Sequence, residues 1–165
     1  MNALLVRVDS RLVHGQVVAG WLPRLRARRI VVADDVVARD PRRVEIFRLA
    51  IPREVSFEAS SVVAAGEAAS RDPARPPIVL FSTVSDAARA HAAGFRFEAL
   101  NVGNVHAGVG CREITGAVHL ADVDLRALGA LASAGVAIDF RSVPGDALGD
   151  ARLVLALATM ERRRS

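Results

Sequence analysis

The stretch Ile30-Val31-Val32-Ala33-Asp34-Asp35 decides the fold class, because a short apolar run ends abruptly in two charged residues. Four consecutive apolar residues, three of them β-branched, are typical of a strand that is buried on both faces. A helical pattern follows at residues 41–50, with a proline at an allowed first-turn position. Its apolar face is expected to consist of Val44, Ile46, Phe47 and Leu49.

The same alternation extends in both directions along the chain. Further strands are predicted at residues 3–8, 55–58, 78–81, 98–103, 114–120 and 136–143. Further helices are predicted at residues 15–26, 61–70, 85–93, 122–134 and 146–160. Buried strands that alternate with helices predict an α/β fold, in which helices cover both faces of a parallel sheet. Because the alternation resumes directly after the proline-rich loop 71–77, we predict one domain over residues 1–165, with residues 162–165 as a solvated tail.

Composition excludes several classes of protein. The 165 residues are 52% hydrophobic, so the chain can bury a core, and its single cysteine, Cys111, excludes an internal disulfide. No run of about 20 residues is apolar and uncharged, and the N-terminus lacks the pattern of a signal peptide. We therefore expect a cytoplasmic protein that does not insert into a membrane. The net charge of +4 comes from scattered arginines without interleaved aromatic residues, so no nucleic-acid partner is predicted.

The loop after the first strand, Asp9-Ser10-Arg11-Leu12-Val13-His14-Gly15-Gln16, is the richest in chemistry. Ligands of open α/β sheets bind at the carboxyl ends of the strands, where this loop must lie. A neutral imidazole is nucleophilic near pH 7. A helix that begins beside His14 would also offer free N–H groups to a phosphoryl group. His14 is therefore a candidate phosphoryl acceptor, although a loop histidine more often caps a helix or holds the loop.

Residues beside His14 could assist such a reaction. Arg7 and Arg11 could bind the phosphoryl oxygens, where charge accumulates in the transition state. Asp9 could orient the imidazole or hold an arginine in place. Gly15 removes a Cβ that would hinder close approach, and Gln16 completes the predicted phosphoryl-binding set. The spacing alone does not determine which ring nitrogen reacts.

The segment Arg7-Val8-Asp9-Ser10-Arg11-Leu12-Val13-His14-Gly15-Gln16-Val17 resembles the active-site segment of one family. That family is the enzyme IIB component of the mannose/fructose/sorbose group of bacterial sugar phosphotransferase systems. Ser10 departs from it, because the family has a second aspartate there. Weaker matches follow along nearly the whole chain, at Trp21, residues 30–38, Phe81-Ser82-Thr83, Asn101-Val102-Gly103 and Arg141-Ser142-Val143-Pro144.

The resemblance implies a phosphotransferase that needs no cofactor. His14 would accept a phosphoryl group on Nδ1 from the histidine of a IIA partner, with Asp9 and Arg11 as further catalytic residues. It would then pass the group to a sugar bound by the membrane components IIC and IID. The resemblance also implies a three-layer α/β/α fold, with a mainly parallel open sheet and antiparallel strands near one edge.

The sequence is also compatible with two other functions. The chain could be a regulatory phosphoprotein that uses the same chemistry without transport. It could also be a non-enzymatic module in which Arg7, Arg11 and Gly15 hold a phosphate or nucleotide. No complete glycine-rich nucleotide motif is present, so the binding module ranks last.

Other polar residues are candidates for the lining of the site. Those that follow strands are Asp34, Ser82, Thr83, Gly103 and Asn104. Asp34 and Asp35 could bind a ribose or an arginine beside His14, or could form a turn that caps the next element. The glycine-containing loop 103–110 could close over the site or could simply connect two elements.

Two further groups of polar residues lie elsewhere in the chain. We predict no metal site, because the spacing of His106, Cys111, His119 and Asp122 matches no standard zinc pattern. An arginine cluster could form a docking patch for an acidic partner: Arg24, Arg26, Arg28 and Arg29.

Overall fold

The structure, a computed structural model, describes residues 3–147. Its strands are β1 (Leu5–Asp9), β2 (Arg29–Ala33), β3 (Ser56–Ser60), β4 (Ile78–Phe81), β5 (Ala99–Asn104), β6 (Arg112–Thr115), β7 (Val118–Leu120) and β8 (Ala137–Asp139). Helix α1 joins a π-helical segment, Gln16–Trp21, to an α-helical turn, Leu22–Leu25. The 3-10 turn Val37–Arg39 precedes α2 (Pro41–Ala50), and the 3-10 turn Val62–Ala64 precedes α3 (Ala65–Ser70). The remaining helices are α4 (Val84–Ala92) and α5 (Asp122–Ser133).

Six strands form one sheet in the order β3-β2-β4-β1-β5-β8, and every neighbouring pair is parallel. The other two strands, β6 and β7, pair antiparallel beside it. A single bridge from Val105 to Val118 connects this hairpin to the sheet. The predicted parallel sheet, with antiparallel strands near one edge, is therefore confirmed. Strand β1 lies in the interior of the sheet between β4 and β5, so the loop that follows it is flanked on both sides.

Successive residues of the central strands face two different cores, as strand geometry requires. In β4, Val79 and Phe81 pack with residues of α3, α4 and α5. Ile78 and Leu80 face the opposite side and pack with residues of α1 and α2. The sheet thus lies between two layers of helices, which confirms the three-layer α/β/α fold. Within residues 3–147, no helix combines the length and the apolar character that a membrane crossing takes.

Helix α2 differs from the expectation of a four-residue apolar face. Val44 and Phe47 pack against the core, but Ile46 and Leu49 are 63% and 78% exposed. The reason is that α2 lies beside the edge strand β3, where only a narrow stripe of the helix meets the sheet. The predicted face is therefore wrong for Ile46 and Leu49.

The chain after β5 also differs from its prediction. The strand expected at residues 114–120 is a hairpin, because a turn at Gly116 divides it into β6 and β7. The strand expected at residues 136–143 is shorter, since β8 is an edge strand with pairing to β5 only. The predicted helix at residues 146–160 lies almost wholly outside the described residues, as does the predicted tail at residues 162–165.

Candidate functional site

Strand β1 carries two charged side chains into the interior of the protein. Its valines, Val6 and Val8, face the core formed with α3, α4 and α5. The alternating residues Arg7 and Asp9 therefore face the side of α1, and both side chains are fully buried. A buried charge is costly unless it is paired and hydrogen-bonded. The site is built around the way in which these two charges are satisfied.

The carboxylate of Asp9 accepts five hydrogen bonds. Its Oδ2 accepts from Arg7 Nε at 3.0 Å, from Arg7 Nη2 at 2.8 Å and from His14 Nε2 at 2.8 Å. Its Oδ1 accepts from the backbone N–H of Arg11 at 3.0 Å and from Asn104 Nδ2 at 3.1 Å. Burial alone would raise the pKa of Asp9, but the bond to His14 and the charge of Arg7 outweigh it and leave the pKa below its ordinary value. Asp9 is thus held as a carboxylate.

The guanidinium of Arg7 uses all five of its N–H groups. Besides the two bonds to Asp9, Nη2 donates to Gln16 Oε1 at 3.2 Å. Nη1 donates to Asn101 Oδ1 at 2.6 Å and to the carbonyl oxygen of Arg141 at 3.3 Å. Burial lowers the pKa of Arg7, and the adjacent carboxylate of Asp9 opposes that shift. With no exposed surface, Arg7 is better placed to position Asp9 than to make the predicted contact with phosphoryl oxygens.

Two neighbours shape the space around Arg7. The ring of Trp21 lies 5.8 Å from the guanidinium carbon, within the range of a cation–π interaction. Any Cβ at position 103 would overlap the guanidinium, so Gly103 leaves the room that Arg7 occupies. The candidate lining residue Gly103 therefore contributes by leaving space for the guanidinium of Arg7.

The imidazole of His14 is fixed through one nitrogen. Because the carboxylate of Asp9 can only accept, we assign the ring proton to Nε2, and Nδ1 then carries the free electron pair. The side chain is 10% exposed. The backbone carbonyl of His14 accepts from the N–H groups of Val17 and Val18, which are the first bonds of α1. The N–H groups of Gly15 and Gln16 precede these bonds, so they belong to the unsatisfied N-terminus of the helix.

The backbone of the loop is held in an uncommon conformation. Leu12 has φ of 55°, in the left-handed region that residues with a side chain seldom adopt. A turn closed by the bond from Leu12 N–H to the carbonyl of Asp9 and the burial of the Leu12 side chain hold it there. The π-helical segment Gln16–Trp21 follows at once, and such segments are frequent at functional sites. The loop is therefore anchored by the buried side chain of Leu12, and His14 lies at the N-terminus of α1.

The other predicted phosphoryl-binding groups differ in their exposure. The side chain of Arg11 is exposed, and its guanidinium has no hydrogen-bond partner within residues 3–147. Gly15 is also exposed, and a Cβ built on it would contact nothing within 4 Å. The side-chain oxygen of Gln16 instead accepts from Arg7. Arg11 and Gly15 are thus open to an incoming group, whereas Gln16 belongs to the support of Arg7.

A second cluster forms at the carboxyl ends of β2 and β4. Asp34 accepts from the N–H groups of Val36 and Val37 and from Ser82 Oγ at 2.7 Å. Thr83 caps α4 by accepting from the N–H of Asp86 at 3.0 Å. Among the described residues, no hydrogen bond joins this cluster to Asp9 or His14. The capping alternative therefore fits Asp34, and the candidate lining residue Thr83 caps α4.

Asp35 holds an arginine, but that arginine is not in the loop of His14. Its Oδ2 accepts from Arg89 Nη2 at 3.0 Å, and its Oδ1 accepts from the N–H of Val62. The bond from Val62, with help from Arg89, lowers the pKa of Asp35. Asp35 thus links the chain after β2 to α4 and to the start of the next helical segment.

The loop after β5 begins beside the site. Asn104 binds Asp9 through its side chain, and its carbonyl accepts from the N–H of Ser10 at 2.9 Å. The hydroxyl of Ser10 accepts from the N–H of His106 at 3.4 Å. Ser10 thus joins the loop of His14 to the end of β5 and to the loop that follows Asn104.

Three residues outside the predicted set support the site, namely Asn101, Asp139 and Arg141. Asn101 bridges Arg7 to the end of β8, where Asp139 and Arg141 form an ion pair of 2.9 Å. A signal for Asn101 exists in the sequence, since it is a polar residue within an apolar strand. Arg141 begins one of the segments that resemble the family, whereas Asp139 has no such signal, because a charged residue near the end of a strand is ordinary.

The other candidate clusters do not assemble as sites. Residues 3–147 contain no group of three or more histidine, cysteine or acidic residues placed to hold a metal ion. His119 lies 4.0 Å from Glu113, and Asp122 pairs with Arg112 at 3.0 Å. In the predicted docking patch, Arg29 is buried and donates to the last carbonyls of α3, so only Arg24, Arg26 and Arg28 are exposed.

Known proteins match this chain over nearly its full length. A family model described as "PTS system sorbose subfamily IIB component", where PTS is the phosphotransferase system, matches residues 3–165. The PTS system fructose-specific EIIB component of Bacillus subtilis (strain 168) is 32% identical over 152 residues, covering 91% of this chain and 93% of that protein. The N-acetylgalactosamine-specific phosphotransferase enzyme IIB component 1 of Escherichia coli (strain K12) is 32% identical over 151 residues, covering 88% of this chain and 93% of that protein.

The backbone fold of this chain also matches a solved structure. The crystal structure of the IIBSor domain of the sorbose permease from Klebsiella pneumoniae matches with a TM-score of 0.82 at 27% identity. That match covers 100% of this chain and 99% of the other. Sequence and fold therefore agree on one family.

Proposed function

The chain belongs to the sorbose subfamily of PTS IIB components, and we propose that it is a phosphohistidine carrier for sugar uptake. The observation that carries the proposal is the 2.8 Å bond between Nε2 of His14 and the buried carboxylate of Asp9. This bond leaves Nδ1 of His14 as the nucleophile. The chain would act in the cytoplasm, between a IIA phosphocarrier and the membrane components IIC and IID.

In the first step, the chain accepts a phosphoryl group from a phosphohistidine of the IIA partner. The electron pair of His14 Nδ1 attacks phosphorus, the P–N bond of the donor breaks, and the donor imidazole leaves with that electron pair. The ring of His14 gains positive charge as the new P–N bond forms. Asp9 offsets this charge through Nε2, in the same way that a buried aspartate stabilises an imidazolium in other catalytic sites.

The phosphoryl oxygens need donors in the same step. Arg11 and Gly15 are exposed, and the backbone N–H groups of Gly15 and Gln16 donate to no acceptor within residues 3–147. A helix N-terminus and a guanidinium both favour the charge that develops on these oxygens. We therefore assign Arg11 a catalytic role and Gly15 a binding role through its backbone.

In the second step, the phosphoryl group passes to the sugar. A hydroxyl oxygen of a sugar held by the IIC and IID components attacks phosphorus, the P–Nδ1 bond breaks, and the hydroxyl proton passes to water. His14 returns to its neutral form, again with the proton on Nε2. The chain is thus a covalent carrier, because each phosphoryl group resides on the protein between two transfers.

Labelling of the intact protein tests this proposal. The chain is incubated with a purified IIA protein that has been charged from phosphoenolpyruvate by the general PTS proteins, and its mass is then measured. We expect the mass of one added phosphoryl group, lost in acid and located on His14. His14→Ala should take up none, whereas His106→Ala, which replaces an exposed histidine of the neighbouring loop, should be labelled normally.

Each alternative gives a different outcome. A module that only binds phosphate would bind inorganic phosphate but would show no covalent label, which would overturn the proposal. A regulatory phosphoprotein would be labelled on His14 but would not transfer the label to sugar when membranes containing IIC and IID are added. Label on a residue other than His14 would contradict the assigned nucleophile.

A further inference from the structure

Asn101 is a polar residue in the middle of a buried strand. It is 2% exposed, and its neighbours in β5, Leu100 and Val102, belong to the core on the opposite face of the sheet. A buried side-chain amide is costly unless its donors and acceptor are paired. Asn101 is paired on both sides, between Arg7 and the end of β8.

The surroundings of Asn101 determine which way round its amide lies. Nδ2 donates to Asp139 Oδ2 at 3.1 Å and to the carbonyl oxygen of Arg141 at 2.9 Å. Both of these partners can only accept, so the NH2 group must face them. Oδ1 is thereby directed at Arg7, from which it accepts at 2.6 Å. The end of β8 thus fixes an acceptor against the guanidinium.

Arg7 passes this constraint to Asp9. Its planar fork holds Asn101 at one edge, through Nη1, and the Oδ2 atom of Asp9 at the other, through Nε and Nη2. Gly103 and Trp21 leave the fork little room to tilt. Oδ2 of Asp9 is also the atom that binds Nε2 of His14. The orientation of the guanidinium therefore sets the position of that oxygen relative to the imidazole.

We infer that Asn101 is a positioning residue for phosphoryl transfer, which acts through Arg7 on Asp9 and thereby on the ring of His14. The inference rests on the proposed function of His14. It assigns Asn101 no contact with the phosphoryl group. It also assigns the pair Asp139 and Arg141 the supporting task of holding the Asn101 amide in its orientation.

A double-mutant cycle tests the inference. Asn101→Leu keeps the size of the side chain and removes its hydrogen bonds. We expect phosphoryl transfer to His14 to slow roughly tenfold, in line with the loss of one hydrogen bond to a charged group. In an Arg7→Met background, Asn101→Leu should cause no further loss, because the residue through which it acts is already absent.

Asn104→Leu is the matched control, because Asn104 binds Asp9 directly at the other carboxylate oxygen. Its effect on the transfer rate should remain in the Arg7→Met background. An unchanged rate in Asn101→Leu overturns the inference. So does a double variant of Asn101 and Arg7 in which the two losses multiply.

A second readout needs no phosphoryl transfer at all. In nitrogen-15 spectra of the unphosphorylated protein, the ring of His14 should show one tautomer with the proton on Nε2, and Asn101→Leu should shift part of the population to the other tautomer. Unchanged ring signals in this variant overturn the inference. An absence of label on His14 in the wild type counts against the proposed function instead.

A milder variant covers the case in which Asn101→Leu does not fold. Asp139→Ala removes one of the two acceptors that orient the Asn101 amide, and Asp139 lies outside the buried core. We expect a loss of transfer rate in the same direction, of about threefold, with the same shift in the His14 tautomer. Wild-type rate and ring signals in Asp139→Ala overturn the inference as well.

Discussion

Asp9 is the residue on which the site depends. Its one carboxylate holds a buried guanidinium, the backbone of the active loop and the ring of His14. Replacing a buried ion pair by apolar residues often stabilises a protein, so the presence of this pair is weak evidence for stability alone. A fixed tautomer of His14 is the function that we propose for it.

Replacement of this carboxylate should therefore affect both stability and transfer. Asp9→Asn leaves Arg7 buried without its counter-charge, and loss of one partner of a buried pair costs about 3–5 kcal/mol. We expect a decrease of that size in the free energy of unfolding at pH 7, measured by urea denaturation. Transfer to His14 should slow as well, because an amide does not hold the Nε2 proton as a carboxylate does. Normal transfer kinetics would leave Asp9 with a structural role only.

The stability of the protein at low pH should also depend on Asp9. The pKa of Asp9 is lower in the folded protein than in the unfolded chain, so the folded state is stabilised above the ordinary carboxyl range. This contribution is complete above about pH 4 and is lost as the pH falls below that, through the lowered pKa. In urea denaturation between pH 7 and pH 2, Asp9→Asn should lose less stability than the wild type. An equal loss in both proteins would contradict the assigned ion pair.

Arg11 should contribute to rate without contributing to stability. Its side chain is exposed, and only its backbone N–H is bonded within the site. If the guanidinium stabilises transition-state charge, Arg11→Ala should slow phosphoryl transfer by about 10²–10³. The free energy of unfolding should change by less than about 0.5 kcal/mol. Single-turnover transfer from IIA measures the rate, and a rate equal to that of the wild type would remove Arg11 from the site.

At the scale of elements, strand β5 supports the site through a residue that has no side chain. Gly103→Ala would place a methyl group where the guanidinium of Arg7 lies. Arg7 is bonded at all of its N–H groups and cannot yield without losing several of them. We expect a loss of stability of several kcal/mol together with slower transfer.

Gly15→Ala is the matched control for that substitution. The backbone of Gly15 is right-handed helical, and a Cβ on it would meet nothing within 4 Å. Thermal unfolding of Gly15→Ala should match the wild type closely. Equal losses of stability in the two variants would contradict the role given to Gly103.

The alternation of strands and helices was predictable because buried parallel strands differ sharply in composition from the helices between them. The structure differs from the predicted elements where that contrast is weak. Helix α2 has apolar residues on two sides, and sequence spacing cannot tell that only the side of Val44 and Phe47 meets the sheet. The turn that divides β6 from β7 is marked only by Gly116, within a stretch that otherwise resembles one strand.

The part of the site that lies in the loop after β1 was predictable from the sequence, with the help of the family resemblance. The loop supplies Asp9, Arg11 and His14 as neighbours in sequence. The burial of Arg7 depends on Asn101 and Gly103, which are some 95 positions away, and no local pattern gives that contact. Long-range partners of a buried charge can be found only when the strands are placed side by side.

At the scale of the molecule, the parallel sheet brings these residues together at the carboxyl ends of its strands. Strands β1, β5 and β8 are adjacent, so their carboxyl ends bring together the loop of His14, Asn104 and the segment of Arg141. Two cores hold the sheet on both faces, and α1 begins at the edge where the loops meet. The fold thus holds the imidazole of His14 through Asp9 and leaves the neighbouring residues Arg11 and Gly15 exposed.

In the proposed mechanism, His14 reacts through Nδ1 while Asp9 holds Nε2. Nitrogen-15 and phosphorus-31 NMR of the protein after phosphorylation by IIA measures this directly, with the histidine rings labelled. We predict a phosphoryl group on Nδ1 of His14, together with a proton retained on Nε2. A phosphoryl group on Nε2, or on any residue other than His14, would contradict this mechanism.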